Sequence, residues 1–185
     1  MLNTILGSFS TAGAATSYES ISTTTVGSGG SASVTLSAIP ATYTHLQIRG
    51  LFRSSYNLSN TSMRFTFNSD TANNYDAHDL NGNGSSATSG AETSNPYIVF
   101  GRAAYDGLTA GIFTAFVIDI LDYANTNKYK TIRCLNGFDA NGEGQVSLRS
   151  GLWRSTSAIT SVNLFSNVGD IMQYSQFALY GIKGA

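Results

Sequence analysis

The sequence predicts an all-β chain: an antiparallel β-sandwich, jelly-roll-like, with about ten strands and a flexible N-terminal arm. Three observations carry that prediction. Charged residues make up only 11% of the 185, against roughly a quarter in an ordinary soluble domain, and Gly, Ser, Thr and Asn take their place. Apolar residues recur at every second position, the period of a strand with one dry face. Turn-forming pairs, several of them Asn-Gly, separate those runs.

Residues 1–16 are small and nearly uncharged, with Leu2, Ile5, Leu6 and Phe9 as apolar anchors. They read either as a frayed terminus or as an arm that docks on a neighbour. Residues 17–185 form one sandwich domain, because two independent cores at this length would each be marginal. Within it Val34 and Leu36, Leu46 and Ile48, Met63, Phe65 and Phe67, Val162 and Leu164, and Phe177 and Leu179 alternate with polar neighbours. Each run presents one apolar and one polar face. Ile112–Leu121 is apolar on both faces and rich in β-branched and aromatic residues, so it is a strand covered on both sides or one that makes an interface. Phe113 and Val117 are its candidate contact residues. The stretch 81–95 is too long for a hairpin turn and too serine-rich for a strand, and is expected as a surface loop. Turns are expected at Gly27–Gly30, Asn73-Asn74, Asn81–Gly84, Asn95-Pro96, Asp106-Gly107, Asn136-Gly137, Asn141-Gly142 and Gly169-Asp170.

Composition narrows function. A net charge of −1 gives no global basic field for nucleic acid. No apolar run approaches the roughly 18 residues of a membrane helix, and the N-terminus has no positive region of the signal-peptide kind. With one cysteine there is no intrachain disulfide framework, and the chain reads as made and kept in a reducing cytoplasm.

Catalytic and metal-binding patterns are not apparent. His45 falls on the polar phase of a strand, and His78 shares a face with Asp76, a pair too small for a metal site. No serine stands in a nucleophile-elbow context. Cys134 alternates with Ile132 and reads as a small core residue. Asp139-Ala140-Asn141-Gly142-Glu143 spaces oxygens as calcium loops do but is more simply a hairpin turn. Asp119 and Asp122 are expected to pair with Lys128 or Lys130. No catalytic residue, metal ligand or cofactor is assigned.

The strings Asp122-Tyr123-Ala124-Asn125-Thr126-Asn127-Lys128 and Leu179-Tyr180-Gly181-Ile182-Lys183, with Ser150–Arg154 and Ser37–Ile48, resemble a family of small virion structural proteins of tailed bacteriophages, the cyanophage and aquatic-phage type. The similarity spans most of the chain after about residue 18, except 56–111. It implies a β-sandwich particle component without enzymatic activity, found in the virion after assembly in the host cytoplasm.

Two functions follow as expectations. In the first the chain is a capsid decoration (cement) protein, a homo-oligomer and most simply a trimer. It would bind the major capsid protein or other virion proteins through Leu2, Ile5, Leu6, Phe9, Phe113 and Val117. In the second it is a tail fibre or baseplate module recognising host glycan through Tyr56, Tyr75, Tyr97 and Trp153, with Tyr105 and loop asparagines nearby. A glycan-cleaving enzyme would need two placed carboxylates, for which only Asp76 and Asp79, or Asp139 and Glu143, are local pairs.

Overall fold

The computed structural model describes residues 17–184, and every regular element among them is a strand. In chain order these are β1 (Tyr18–Thr25), β2 (Ser33–Leu36), β3 (His45–Ser54), β4 (Ser62–Phe67), β5 (Tyr75–Gly82) and β6 (Ala87–Asn95). There follow β7 (Ile98–Arg102), β8 (Ala104–Tyr105), β9 (Thr114–Leu121), β10 (Lys130–Asp139), β11 (Gly144–Trp153), β12 (Val162–Ser166) and β13 (Gln176–Ile182).

Eight of the strands form a jelly roll. Taken in sequence (β1, β2, β3, β4, β7, β9, β12, β13), they pair antiparallel first with last, second with seventh, third with sixth and fourth with fifth. That is one long hairpin rolled over on itself, giving the facing orders β1-β13-β3-β9 and β2-β12-β4-β7. Two further hairpins are inserted into this plan. β5–β6 lies between β4 and β7, and β10–β11 follows β9; together they extend the large sheet through β9-β10-β11-β5-β6. Among the described residues only the two-residue β8 runs parallel to its neighbour, β3.

The core lies between the sheets. Leu46, Ile48 and Phe52 of β3 and Phe116, Ile118 and Ile120 of β9 face Val34, Phe65, Phe67, Val162 and Leu164 of the small sheet, all buried. Phe52, Phe177, Phe116, Phe100, Phe65, Phe67 and Trp153 make a continuous aromatic run through it, successive ring centroids 5.0 to 6.0 Å apart. The run reaches from the jelly roll into the extension.

The alternating runs seen in the sequence are β2, β3, β4, β12 and β13. Three expectations need correction. The described residues form thirteen strands, where about ten were expected, the additional ones being short or poor in apolar residues. The stretch 81–95 is not a loop: residues 83–86 turn and β6 returns along β5, because a Ser/Thr/Ala strand at a sheet edge needs no apolar phase. Asn136-Gly137 is not a turn but the middle of β10, where Asn136 is buried and donates to Phe100 O at 2.5 Å. The β10–β11 turn is instead at Asn141 (φ 56°) and Gly142 (φ 118°), the positive pair that a primed hairpin turn requires.

Candidate functional site

Strands β9 to β11 place aliphatic side chains on both of their faces, and only one face is covered. Phe116, Ile118 and Ile120 commit one phase of β9 to the core, so Ala115 and Val117 point outward. Of the two readings of Ile112–Leu121, covered on both sides or making an interface, the first is corrected: β9 is central in its sheet but covered on one face only, and Phe113, half-buried, precedes the strand. Ile132 and Cys134 likewise turn Leu135 out. Trp153, buried in the core, fixes β11 so that Val146 and Leu148 face solvent while Ser147 and Arg149 face inward.

Register lines these residues up. Leu80, Leu148, Leu135 and Val117 sit opposite one another on β5, β11, β10 and β9, and the row ends at Arg49 of β3. A second row runs Gly82, Val146, Gly137, Ala115, Leu51. Leu51, Leu80, Leu135, Val146 and Leu148 keep between 40% and 56% of their surface exposed, and no described element covers them. Because Gly137 has no side chain, the two rows enclose an open depression of about 460 Å³ lined by Arg49, Ala115, Val117, Leu135 and Val146. Isolated exposed leucines are ordinary, but an aligned double row is the anatomy of an interface core.

One side of the rows is bordered by a hydrogen-bonded polar row. Arg49 Nε donates to Gln47, Gln47 Nε2 donates to Asp119 Oδ1 at 2.6 Å, and Arg133 Nη2 donates to Asp119 Oδ2 at 2.8 Å. The Arg49 guanidinium lies 5.7 Å from the Tyr18 ring centre and 5.9 Å from that of Tyr180. Among the described residues it has no carboxylate partner, which leaves its outer nitrogens facing whatever covers the sheet.

The glycan platforms of the sequence do not assemble. Tyr75 and Trp153 are core residues, 0% and 2% exposed, stacked on each other with ring centres 6.3 Å apart. Burial pushes the Tyr75 phenol up, and its oxygen receives the Phe67 N–H at 2.9 Å and donates to Asp70 O at 3.1 Å. The expectation that either ring receives a sugar is therefore corrected. The ring of Tyr97 is covered by Arg64, 4.0 Å from its centre, and Tyr56 is half-buried. Tyr105 is buried and donates to Glu143 Oε2 at 2.8 Å, a bond that raises its pKa.

The carboxylate pairs are also committed elsewhere. Asp76 and Asp79 point to opposite faces of β5, Asp76 pairing with Arg154 at 3.3 Å and Asp79 with Arg149 at 3.4 Å. Asp139 accepts the Asn141 N–H across the turn at 2.8 Å, and Glu143 pairs with Arg102 at 2.7 Å. Asp122 pairs with Lys128 at 2.5 Å, as expected, but Asp119 takes Arg133 and Lys130 is buried among carbonyls. His78 is exposed opposite Ser150, and His45 Nδ1 accepts the Asp122 N–H at 3.0 Å. Cys134 is buried, as read, and burial raises its thiol pKa. Leu2, Ile5, Leu6 and Phe9 lie outside the described residues.

Of the partner contacts drawn from sequence, Val117 joins the double row. Leu135, Val146, Leu148, Leu80 and Leu51 were missed. Alternation in Val146-Ser147-Leu148-Arg149 points the aliphatics inward, the wrong way, and Leu135 carries no local signal beyond following a core cysteine. Only the register shows that they are neighbours. Compared with protein-family models, curated proteins and solved structures, the chain matches none.

Proposed function

We propose that the chain is a non-enzymatic bacteriophage virion structural protein, a capsid decoration subunit that seats the outer face of its extended large sheet on proteins of the shell. The observation that carries this is the exposed aliphatic double row. It lies mostly on β10, β11 and β5, strands added to the jelly roll, so much of the apolar surface belongs to the extension. Desolvating five half-exposed aliphatic side chains contributes on the order of 1 kcal/mol each, enough to anchor a subunit repeated over a shell. The jelly roll supports the reading without deciding it, since viral capsid, lectin and cupin domains all use it. The major capsid protein is the proposed partner and a trimer the proposed assembly, in which the long free edges of β1 and β6 are closed against neighbours. Nothing in the geometry favours the glycan alternative, two of whose four aromatics are core.

The test is attachment to particles. Wild-type chain should appear in purified virions by mass spectrometry and over the head by immunogold labelling. L135D/L148D should keep the native Trp153 emission and lose attachment. Equal occupancy by that variant would remove the face from the role, and absence of the wild-type chain from particles would overturn the virion assignment.

A further inference from the structure

Arg49 ends the first aliphatic row and stands between two openings in the outer face of the large sheet. On one side it lines the depression with Ala115, Val117, Leu135 and Val146. On the other it lines a smaller cavity of about 320 Å³ with Tyr18, Ser20 and Tyr180. The second cavity is not aliphatic, since its walls carry two phenols and a hydroxyl beside the guanidinium. Register accounts for this. Arg49 sits opposite Ala178 of β13, and that small residue lets the arginine lie across the strand towards the rings of Tyr180 and Tyr18.

The arginine is held in place before anything binds. Its Nε donates to Gln47, a buried side chain that is itself fixed by donating to Asp119 Oδ1 at 2.6 Å. That chain uses the inner nitrogen and leaves both Nη groups without an acceptor among the described residues. The other cations of this sheet and its flanks are matched. Arg133 pairs with Asp119 at 2.8 Å, Arg149 with Asp79 at 3.4 Å, Arg53 with Asp106 at 3.5 Å and Lys183 with Glu19. Lys130 is enclosed by three carbonyls. Arg49 therefore leaves an uncompensated positive charge on the face, although the chain as a whole carries −1.

A fixed guanidinium with two free donor groups matches a carboxylate, which accepts both in parallel. The flanking rings keep water off the guanidinium and so strengthen a charge-assisted pair made there. A nucleic-acid backbone would call for a row of cations, and Arg133, the other arginine on this face, is already neutralised by Asp119. A single unmatched charge at the end of aliphatic rows fits one acidic side chain on a protein surface that is otherwise apolar.

We propose that Arg49 receives an aspartate or glutamate side chain of the docking partner, so that the partner surface combines a carboxylate at the Tyr18–Arg49–Tyr180 cavity with apolar residues over the depression. The inference rests on the docking role proposed above and adds to it the charge of the partner.

The experiment titrates full-length wild type, R49Q and R49K onto purified phage particles that lack the chain. R49Q removes an exposed charge, so it should keep the wild-type urea midpoint and attach at least about tenfold more weakly. Wild-type attachment should weaken several-fold between about 50 and about 300 mM salt, and R49Q attachment should change less. R49K keeps the charge and should attach several-fold more tightly than R49Q. Equal attachment of wild type and R49Q, with attachment lost in L135D/L148D, would overturn this proposal and leave the docking role standing. The R49K amine also permits a direct reading of its partner. A carbodiimide activates a carboxylate, the amine displaces it to form an amide, and the reagent departs as a urea. Mass spectrometry of linked peptides should show position 49 of R49K joined to an Asp or Glu of a shell protein. The Lys128–Asp122 pair, 2.5 Å apart, should link within the chain and shows that the reagent has acted. That intrachain link without one from position 49 would overturn the carboxylate partner. Wild-type chain that never attaches would overturn the docking role, and this inference with it.

Discussion

Lys130 is fully buried, and its ammonium replaces water with three carbonyls: Asn125 O at 2.6 Å, Lys128 O at 2.9 Å and Thr156 O at 3.2 Å. Burial lowers its pKa, but the oxygens hold the charge and tie the β9–β10 connection to the segment after β11. K130M keeps the aliphatic stem and leaves all three carbonyls unpaired, so it should lower unfolding free energy by about 3 kcal/mol in urea titrations. Asp70 does comparable work at the other end of the core. Its burial opposes ionisation, but hydrogen bonds from Asn74 Nδ2 (3.0 Å), Trp153 Nε1 (2.7 Å) and Ala72 N (2.9 Å) together hold the carboxyl below its ordinary range. A carboxylate with a depressed folded-state pKa contributes stability above its unfolded pKa and loses it as pH falls through the folded value. D70N should therefore be less stable than wild type by about 1–2 kcal/mol at neutral pH, with the gap closing as pH falls below the ordinary carboxylate range. Urea midpoints from the fluorescence of the single tryptophan would show it; a gap unchanged with pH would contradict this account of Asp70.

Strand β11 illustrates how an element can mislead a reader of sequence. Its aliphatic residues Val146 and Leu148 alternate with Ser147 and Arg149, which by pattern alone puts the aliphatics inside. The opposite holds, because Trp153 shares a phase with Arg149 and Gly151 and is locked among Tyr75 and Phe67. Arg149 lies inward, 11% exposed, 3.4 Å from both Asp79 and Glu92 and donating to Val99 O at 3.0 Å. R149M strands the nearly buried Asp79 carboxylate and should cost about 3–5 kcal/mol, whereas L148S on the outer face should cost under about 1 kcal/mol. Denaturation of the two variants checks the phase, and the reverse order would mean that β11 is turned over. Strands β3, β4, β12 and β13 were legible because their alternating residues, Leu46 and Ile48, Phe65 and Phe67, Val162 and Leu164, and Phe177 and Leu179, lie on the core phase. β1 and β6 were not, since edge strands bury little and Ser, Thr and Ala suffice there. The double row was illegible for a different reason: Leu80, Leu135 and Leu148 are distant in sequence, and nothing local announces that register sets them side by side.

At the scale of the molecule, the nested pairing of a jelly roll joins the ends of the chain first to last, β1 against β13, so most contacts are distant in sequence and folding belongs in the millisecond-to-second range of β-sandwiches. The inserted hairpins could in principle melt as a separate unit from the eight strands of the roll. The packing argues otherwise. Ile132 and Cys134 of β10, Trp153 of β11 and Tyr75 of β5 belong to the same buried cluster as Leu46, Phe65 and Leu164 of the roll. Tyr75 gives its hydroxyl to the chain just after β4. Trp153 stands at that junction, with Phe67 of β4 5.4 Å away between ring centres and Asp70 on its indole nitrogen. Its emission therefore reports the seam between roll and extension, while far-UV circular dichroism reports the strands of both. The two signals should trace one coincident urea transition with a single midpoint. F67A, which opens a cavity at the seam, should lower that midpoint by the equivalent of about 3–5 kcal/mol without separating the two curves. A tryptophan transition that precedes the loss of strand signal would mean that the extension opens first. The docking face would then sit on an element able to unfold without the roll beneath it.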